Sequence, residues 1–96
     1  MKLTMVKNDN GSVSIYIDGE MYDWHKAPDS VPSTVYAVQA HPKHTEIENF
    51  DLTNKIFSDP PSYVEDIVET WKLAKKAYEA ELAAFKELNA DTDLDG

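Results

Sequence analysis

The fold is decided at residues 58–89, which read SDPPSYVEDIVETWKLAKKAYEAELAAFKELN. Ser58 or Asp59 can cap a helix, and proline suits the first helical turn because its missing N–H costs nothing there. Between Tyr63 and Asn89 there is no glycine or proline to interrupt the helix. We therefore predict one long helix over residues 58–90, followed by an acidic tail over residues 91–96.

The apolar residues of this helix recur every seven positions. The main series is Val64, Trp71, Tyr78 and Phe85, and the accompanying positions are Ile67, Val68, Ala74, Leu82 and Leu88. Such a repeat gives a narrow seam that packs on another surface. About 28 helical residues extend about 42 Å, which is more than a small sheet can cover. Either the helix packs on its own sheet with a frayed end, or its distal half overhangs and binds a partner or a second copy.

Residues 1–57 have the pattern of an antiparallel sheet. In residues 12–18, Val13, Ile15 and Ile17 alternate with polar or exposed positions, which is typical of a half-buried strand. Asp18-Gly19 favours a tight hairpin turn. Strands are predicted at residues 3–7, 12–18, 20–24, 35–40 and 45–50, with a short edge strand between 52 and 57. The predicted fold class is α+β: a small antiparallel β-sheet of five or six short strands followed by one long C-terminal α-helix.

Composition excludes several classes of function. The 96 residues carry 9 cations and 18 acids, for a net charge of -9, and every cation is a lysine. An acidic chain without arginine is a poor binder of nucleic acid or of anionic membranes. There is no cysteine, which excludes disulfides and thiolate metal sites. No apolar run is long enough to span a bilayer, and the first seven residues turn polar too soon for a signal peptide.

No motif predicts catalysis, a cofactor or a metal centre. His41 and His44 could share a metal with a third ligand such as Glu46 or His25, but Pro42-Lys43 between them favours a solvated turn. The ending DTDLDG (residues 91–96) matches the start of a calcium loop without its later ligands, so Asp91, Asp93 and Asp95 are expected to form a solvated acidic tail. The serines and histidines form no recognisable nucleophile motif. We expect a protein that is not an enzyme.

Five residues are predicted to bind a partner protein. Trp71 is expected in the core, whereas Trp24 ends a strand beside a proline-containing loop, either at the core edge or as an exposed anchor. The distal part of the helix seam would be exposed if the helix overhangs. The predicted partner-binding residues are Trp24, Tyr78, Leu82, Phe85 and Leu88.

Three stretches resemble a family of small proteins from tailed bacteriophages. They are SIYIDGEMYD (residues 14–23), VYAVQ (35–39) and TEIE (45–48). Similar strands, followed by a C-terminal helix, occur in proteins labelled tail-fibre-assembly or tail-assembly proteins. The resemblance covers roughly residues 12–78, and it departs from the family pattern at Ala40, where a tryptophan is usual, and at Thr45, where a glycine is usual.

The resemblance implies a non-enzymatic phage protein that binds a tail or fibre protein, either as an assembly helper or as a minor structural component of the virion. It implies residence in the host cytoplasm, with incorporation into the virion as an open alternative. Self-association through the C-terminal helix also stays open. The competing hypothesis is an acidic phage-encoded inhibitor of a host defence or nucleic-acid-binding enzyme, because residues 57–96 hold ten acids against four lysines.

Overall fold

A computed structural model describes the backbone of residues 1–95 and the side chains of residues 1–88. It contains six strands and then one helix, which confirms the predicted α+β class. In chain order they are β1 (Leu3–Lys7), β2 (Val13–Ile17), β3 (Glu20–Trp24), β4 (Val35–Ala40), β5 (Thr45–Asn49), β6 (Asn54–Phe57) and α1 (Tyr63–Asp95).

The six strands form one antiparallel sheet in the order β3-β2-β1-β4-β5-β6. It consists of two three-stranded meanders joined through β1 and β4, with Met5 opposite both Ile15 and Val38. A bulge at Tyr36 shifts the register between β4 and β5. This order leaves β3 at one edge of the sheet and β6 at the other.

The turn between β2 and β3 has the conformation of a two-residue hairpin. Asp18 has φ 48° and Gly19 has φ 88°, and Ile17 lies opposite Glu20. These angles correspond to a type I′ turn, whose twist matches that of the flanking strands. The predicted Asp18-Gly19 turn is confirmed, and it fixes which residues of β3 face the helix.

The core lies on one face of the sheet. Leu3, Met5, Ile15 and Ile67 are fully buried there, and Trp71 is half-buried against the same cluster, as the seam predicted. The loop between β3 and β4 closes one end of this layer. Its Ser30 hydroxyl donates a hydrogen bond of 2.5 Å to the Asp66 carboxylate.

The start of α1 differs from the prediction. We expected the helix to include residues 58–62, but it begins at Tyr63, after both prolines and Ser62. Pro60 and Pro61 cannot donate backbone hydrogen bonds, and the residue before a proline avoids helical angles. Two successive prolines therefore delay the helix rather than open it.

The end of α1 differs as well. The segment predicted as a tail from residue 91 continues the helix to Asp95. No glycine or proline follows Tyr63 until Gly96, so the sequence contains no strong helix breaker before that point. The side chains of Asp91, Asp93 and Asp95 lie outside the described residues. The expectation that these three aspartates are solvated rather than bound to calcium concerns those side chains.

Candidate functional site: a groove between an edge strand and the distal helix

The helix α1 passes beyond the sheet at strand β3. It follows β6 in the chain but packs on β3 and β2 at the opposite side, so it crosses the face of the sheet. Thirty-three helical residues span about 50 Å, whereas six strands span about 24 Å. The longest dimension of the molecule is accordingly 58 Å, against 28 and 18 Å for the other two.

Burial along the helix stops abruptly. Among the helical residues whose side chains are described (63–88), Ala74 is the last buried one and Lys75 the last half-buried one. Every residue from 76 to 88 is exposed, and we call residues 76–88 the distal helix. The seam that packs on the sheet therefore continues beyond it as a row of exposed side chains up to residue 88.

Four large side chains of that seam stand out from the distal helix, and we call them the apolar stripe. Their exposed fractions are 52% for Tyr78, 38% for Leu82, 60% for Phe85 and 67% for Leu88. All four were predicted to bind a partner. Their exposure is a structural fact, whereas the partner remains a prediction.

A groove of about 620 Å³ lies between β3 and the beginning of the distal helix, and we call it the β3 groove. Its strand side consists of the whole of β3, from Glu20 to Trp24. Its helix side consists of Ala74, Ala77, Tyr78 and Glu81, which share one helical face because they are three or four residues apart. Two alanines on that face keep the groove open.

The strand wall of the groove is an open sheet edge. Ile17 and Glu20 flank a two-residue turn, so they form a hydrogen-bonded pair. Hydrogen-bonded and non-hydrogen-bonded pairs alternate along antiparallel strands, so the next hydrogen-bonded pairs are Ile15 with Tyr22 and Val13 with Trp24. The backbone N–H and C=O groups of Met21 and Asp23 consequently point away from β2. They are available to a strand placed on the outer side of β3.

Aromatic contacts fix the helix above β3. The Tyr22 ring meets the Trp71 ring edge-on at 5.5 Å between centroids and the Tyr78 ring at 5.6 Å. The Trp71 indole Nε1 donates a 3.0 Å hydrogen bond to the backbone oxygen of Glu20. The geometry of the groove is therefore held at the strand from which the helix departs.

An ion pair reinforces this junction. Lys75 Nζ lies 3.3 Å from Glu20 Oε2 and 5.1 Å from the centroid of the Trp71 ring. The hydrogen bond and the negative charge of Glu20 raise the pKa of Lys75. Burial, with the nearby Glu20 charge, raises the pKa of Tyr22, and Lys75 partly opposes that effect.

Trp24 lies at the edge of the core and also lines the β3 groove. It is half-buried against the core cluster, and its ring is 4.8 Å from that of His25. The structure thus brings Trp24 and Tyr78 into one groove, whereas Leu82, Phe85 and Leu88 are not among its lining residues.

Sequence reasoning missed Tyr22 and Met21 as members of the site. Tyr22 lies two residues before Trp24, so both occupy the same face of β3, and this spacing was visible in the sequence. The position of β3 at the edge of the sheet was not visible, because it depends on the pairing of β1 with β4.

The groove is acidic. Among its lining residues, all within the described chain, Glu20, Asp23 and Glu81 are acidic and none is basic. Asp23 also accepts a 2.7 Å hydrogen bond from the Ser14 hydroxyl, which orients its carboxylate. The neighbouring Lys75 is already paired with Glu20. Since Lys75 neutralises Glu20, the negative charge that a ligand of this groove would meet comes from Asp23 and Glu81.

A second exposed feature lies at the far edge, in the hairpin between β5 and β6. Leu52 is 91% exposed and has φ 71°. Asp51 Oδ1 accepts hydrogen bonds from both the backbone N–H and the hydroxyl of Thr53, which lower the pKa of Asp51. Phe50 packs edge-on against Tyr36 at 5.3 Å. Local hydrogen bonds and this ring contact hold the hairpin, and none of its residues lines the β3 groove.

The histidine pair occupies the turn between β4 and β5. The rings of His41 and His44 are stacked with centroids 4.6 Å apart, and His41 N–H donates to the backbone oxygen of His44. Within the part of the chain whose side chains are described, no three histidine or carboxylate groups are placed to hold a metal ion.

In the described part of the chain, no helix is long and apolar enough to cross a membrane.

Comparisons with known proteins give no match: no protein-family model, no curated protein and no solved structure matches this chain. The groove and the stripe therefore have to be interpreted from their own chemistry.

Proposed function

We propose that this protein is a non-enzymatic binding protein that acts as a phage assembly helper or minor virion component, and that it holds a tail or fibre protein with its distal helix. The observation that carries the proposal is the continuation of the helix seam past the sheet. Burial of Val64, Ile67 and Ala74 accounts for the first half of the seam. Tyr78 and Phe85 continue it where the helix leaves the sheet, and they are 52% and 60% exposed.

The residue types of the apolar stripe, and their position on one helical face, fit a binding surface. Buried aromatic side chains at the centre of an interface commonly provide a large share of its binding energy, and the apolar stripe holds two, Tyr78 and Phe85. Large apolar groups grouped on one helical face are the usual means by which a helix anchors to a partner. The sequence resemblance to tail-assembly proteins supports a tail or fibre protein as that partner.

The negative charge of residues 79–96 favours a basic partner over a second copy of this chain. Residues 79–96 contain six acids and one lysine, Lys86. Two such helices side by side would repel each other, whereas a basic protein surface would be attracted. The C-terminal end of a helix carries a partial negative charge, which strengthens the same preference.

The inhibitor hypothesis has weaker support. A protein that imitates nucleic acid needs a continuous row of carboxylates in place of phosphates. On the distal helix, Glu81 lies on the face of the apolar stripe, whereas Glu79 and Glu87 lie on other faces. The three carboxylates therefore form no continuous row that could replace phosphates.

The test is co-purification with a fibre or tail protein from the same genome. Phe85→Ser combined with Leu88→Ser should abolish the complex and leave the circular dichroism spectrum unchanged. The matched control is Leu73→Ser, which changes a residue that is 56% exposed but lies on another side of α1. Loss of the complex in the control alone, or in neither variant, would contradict the proposal. A salt-sensitive complex with a nuclease would instead support the inhibitor hypothesis.

A further inference from the structure

We infer that the partner binds as an extended segment that adds a seventh strand to the open edge of β3, beneath the distal helix. This inference rests on the proposed function and specifies its mode of binding. The expected ligand is a short segment that alternates apolar side chains with lysine or arginine. Three features of the β3 groove lead to this ligand: its backbone, its roof and its charge.

The backbone of β3 provides the hydrogen bonds. The N–H and C=O groups of Met21 and Asp23 point outward, and two such residues can pair with about four or five residues of an added strand. Exposed sheet edges attract strands in this way, so proteins usually protect them. The other edge, β6, is only four residues long, carries Lys55, and is soon followed by Pro60 and Pro61.

The distal helix provides a roof at the required height. An added strand would lie about 4.8 Å outside β3, and a helix commonly packs about 10 Å above a sheet. Ala74 and Ala77 leave room above β3, and Tyr78 closes the groove farther along the helix. Every second side chain of the added strand would therefore point up into the β3 groove, towards Ala77 and Tyr78, the one member of the apolar stripe that lines it.

The two faces of β3 specify the alternation of the ligand. Tyr22 and Trp24 lie on the helix-facing side, so the neighbouring side chains of an added strand on that side would be apolar. Asp23 lies on the opposite side, where a lysine or arginine of the ligand would pair with it. Glu81, on the helix side, adds to the negative charge of the groove.

The decisive variant is Met21→Pro. Proline removes one outward N–H of β3 without removing a hydrogen bond to β2, and edge strands tolerate proline at such positions. The control is Met21→Val, which changes the same side chain but keeps the N–H. Loss of a backbone hydrogen bond together with a steric block should weaken binding of the tail or fibre partner about tenfold or more. Met21→Val should bind as the parent does.

Two readouts separate the inference from the proposed function. If Met21→Pro and the Phe85→Ser, Leu88→Ser variant both lose the partner, strand addition is supported. If only the helix variant loses it, the partner binds the stripe without adding a strand, and the inference is overturned while the proposed function stands. If neither loses it, both are wrong.

Amide hydrogen exchange gives an independent measure. Binding should slow exchange at Met21 and Asp23, because their N–H groups become part of a ladder. A synthetic peptide of alternating valine and lysine should produce the same protection, whereas a valine–glutamate peptide should not. Unchanged exchange at both residues in the presence of the bound partner would refute strand addition. The melting temperature of Met21→Pro checks that its sheet is intact.

Discussion

The Trp71 indole donates a 3.0 Å hydrogen bond to the backbone oxygen of Glu20, at the first residue of the strand from which the helix leaves the sheet. The same glutamate pairs through its carboxylate with Lys75, one helical turn farther along. Tyr22 packs against Trp71 from the strand side. Together these contacts set the angle at which the distal helix projects over the β3 groove.

Replacement of Trp71 by phenylalanine should lower the free energy of unfolding by about 1–2 kcal/mol. The ring contact with Tyr22 is largely kept, but the hydrogen bond to Glu20 is lost and the smaller ring leaves a gap. Urea denaturation measures the change. Trp71→Ala should cost more than Trp71→Phe, since it removes the packing as well. Equal stability of the parent and both variants would show that this junction does not hold the helix.

Tyr78 and Phe85 should differ in their effect on stability although both belong to the apolar stripe. Tyr78 touches Tyr22, and such ring pairs contribute about 0.5–1.5 kcal/mol. Tyr78→Ala should therefore destabilise the fold by about that amount. Phe85 lies beyond the sheet, so Phe85→Ala should change the free energy of unfolding by less than about 0.5 kcal/mol. Comparable losses in the two variants would mean that the distal helix is packed in solution.

Most of the secondary structure could be predicted because its signals are local. The alternation of Val13, Ile15 and Ile17, the Asp18-Gly19 turn and the long helix without glycine or proline each specify their element without reference to the rest of the chain. The first and last residues of the helix were predicted less accurately. Two prolines that looked like helix starters delayed the helix, and three aspartates that looked like a tail did not end it.

The candidate site was only partly predictable. The seven-residue seam identified Tyr78, Leu82 and Phe85, since periodicity alone marks one helical face. The groove depends on the order of strands in the sheet, which is set by long-range pairing between β1 and β4. For that reason neither the open edge at Met21 nor the contact of Tyr22 with Trp71 could be derived from the sequence pattern.

Stability should fall with rising pH from about pH 10. The pKa of Tyr22 is raised from 10.0, chiefly by burial, and that of Lys75 from 10.5, chiefly by its bond to Glu20. Both groups then hold their protons more tightly in the folded state than in the unfolded state. Their contribution is complete below the unfolded pKa values and is lost as the pH rises through the folded ones.

Urea denaturation between pH 8 and pH 12, combined with a double variant, tests this linkage. Tyr22→Phe with Lys75→Met removes both titrations while it keeps the ring and the aliphatic stem. The slope of stability against pH above about pH 10 should be shallower in the variant than in the parent. An identical slope would show that other groups govern the alkaline transition.

Leu52→Gly should raise the free energy of unfolding by about 1 kcal/mol. Leu52 has φ 71°, a left-handed conformation that costs a residue with a Cβ atom about 1–2 kcal/mol, whereas glycine adopts it freely. Its side chain is 91% exposed, so little packing is lost. The greater freedom of glycine in the unfolded chain offsets part of the gain.

Leu52→Ala is the control, because it keeps the Cβ atom and should not stabilise the protein. If alanine stabilised it as much as glycine, the gain would come from removal of an exposed apolar side chain and not from relief of backbone strain. Thermal and urea unfolding of both variants distinguish these two causes.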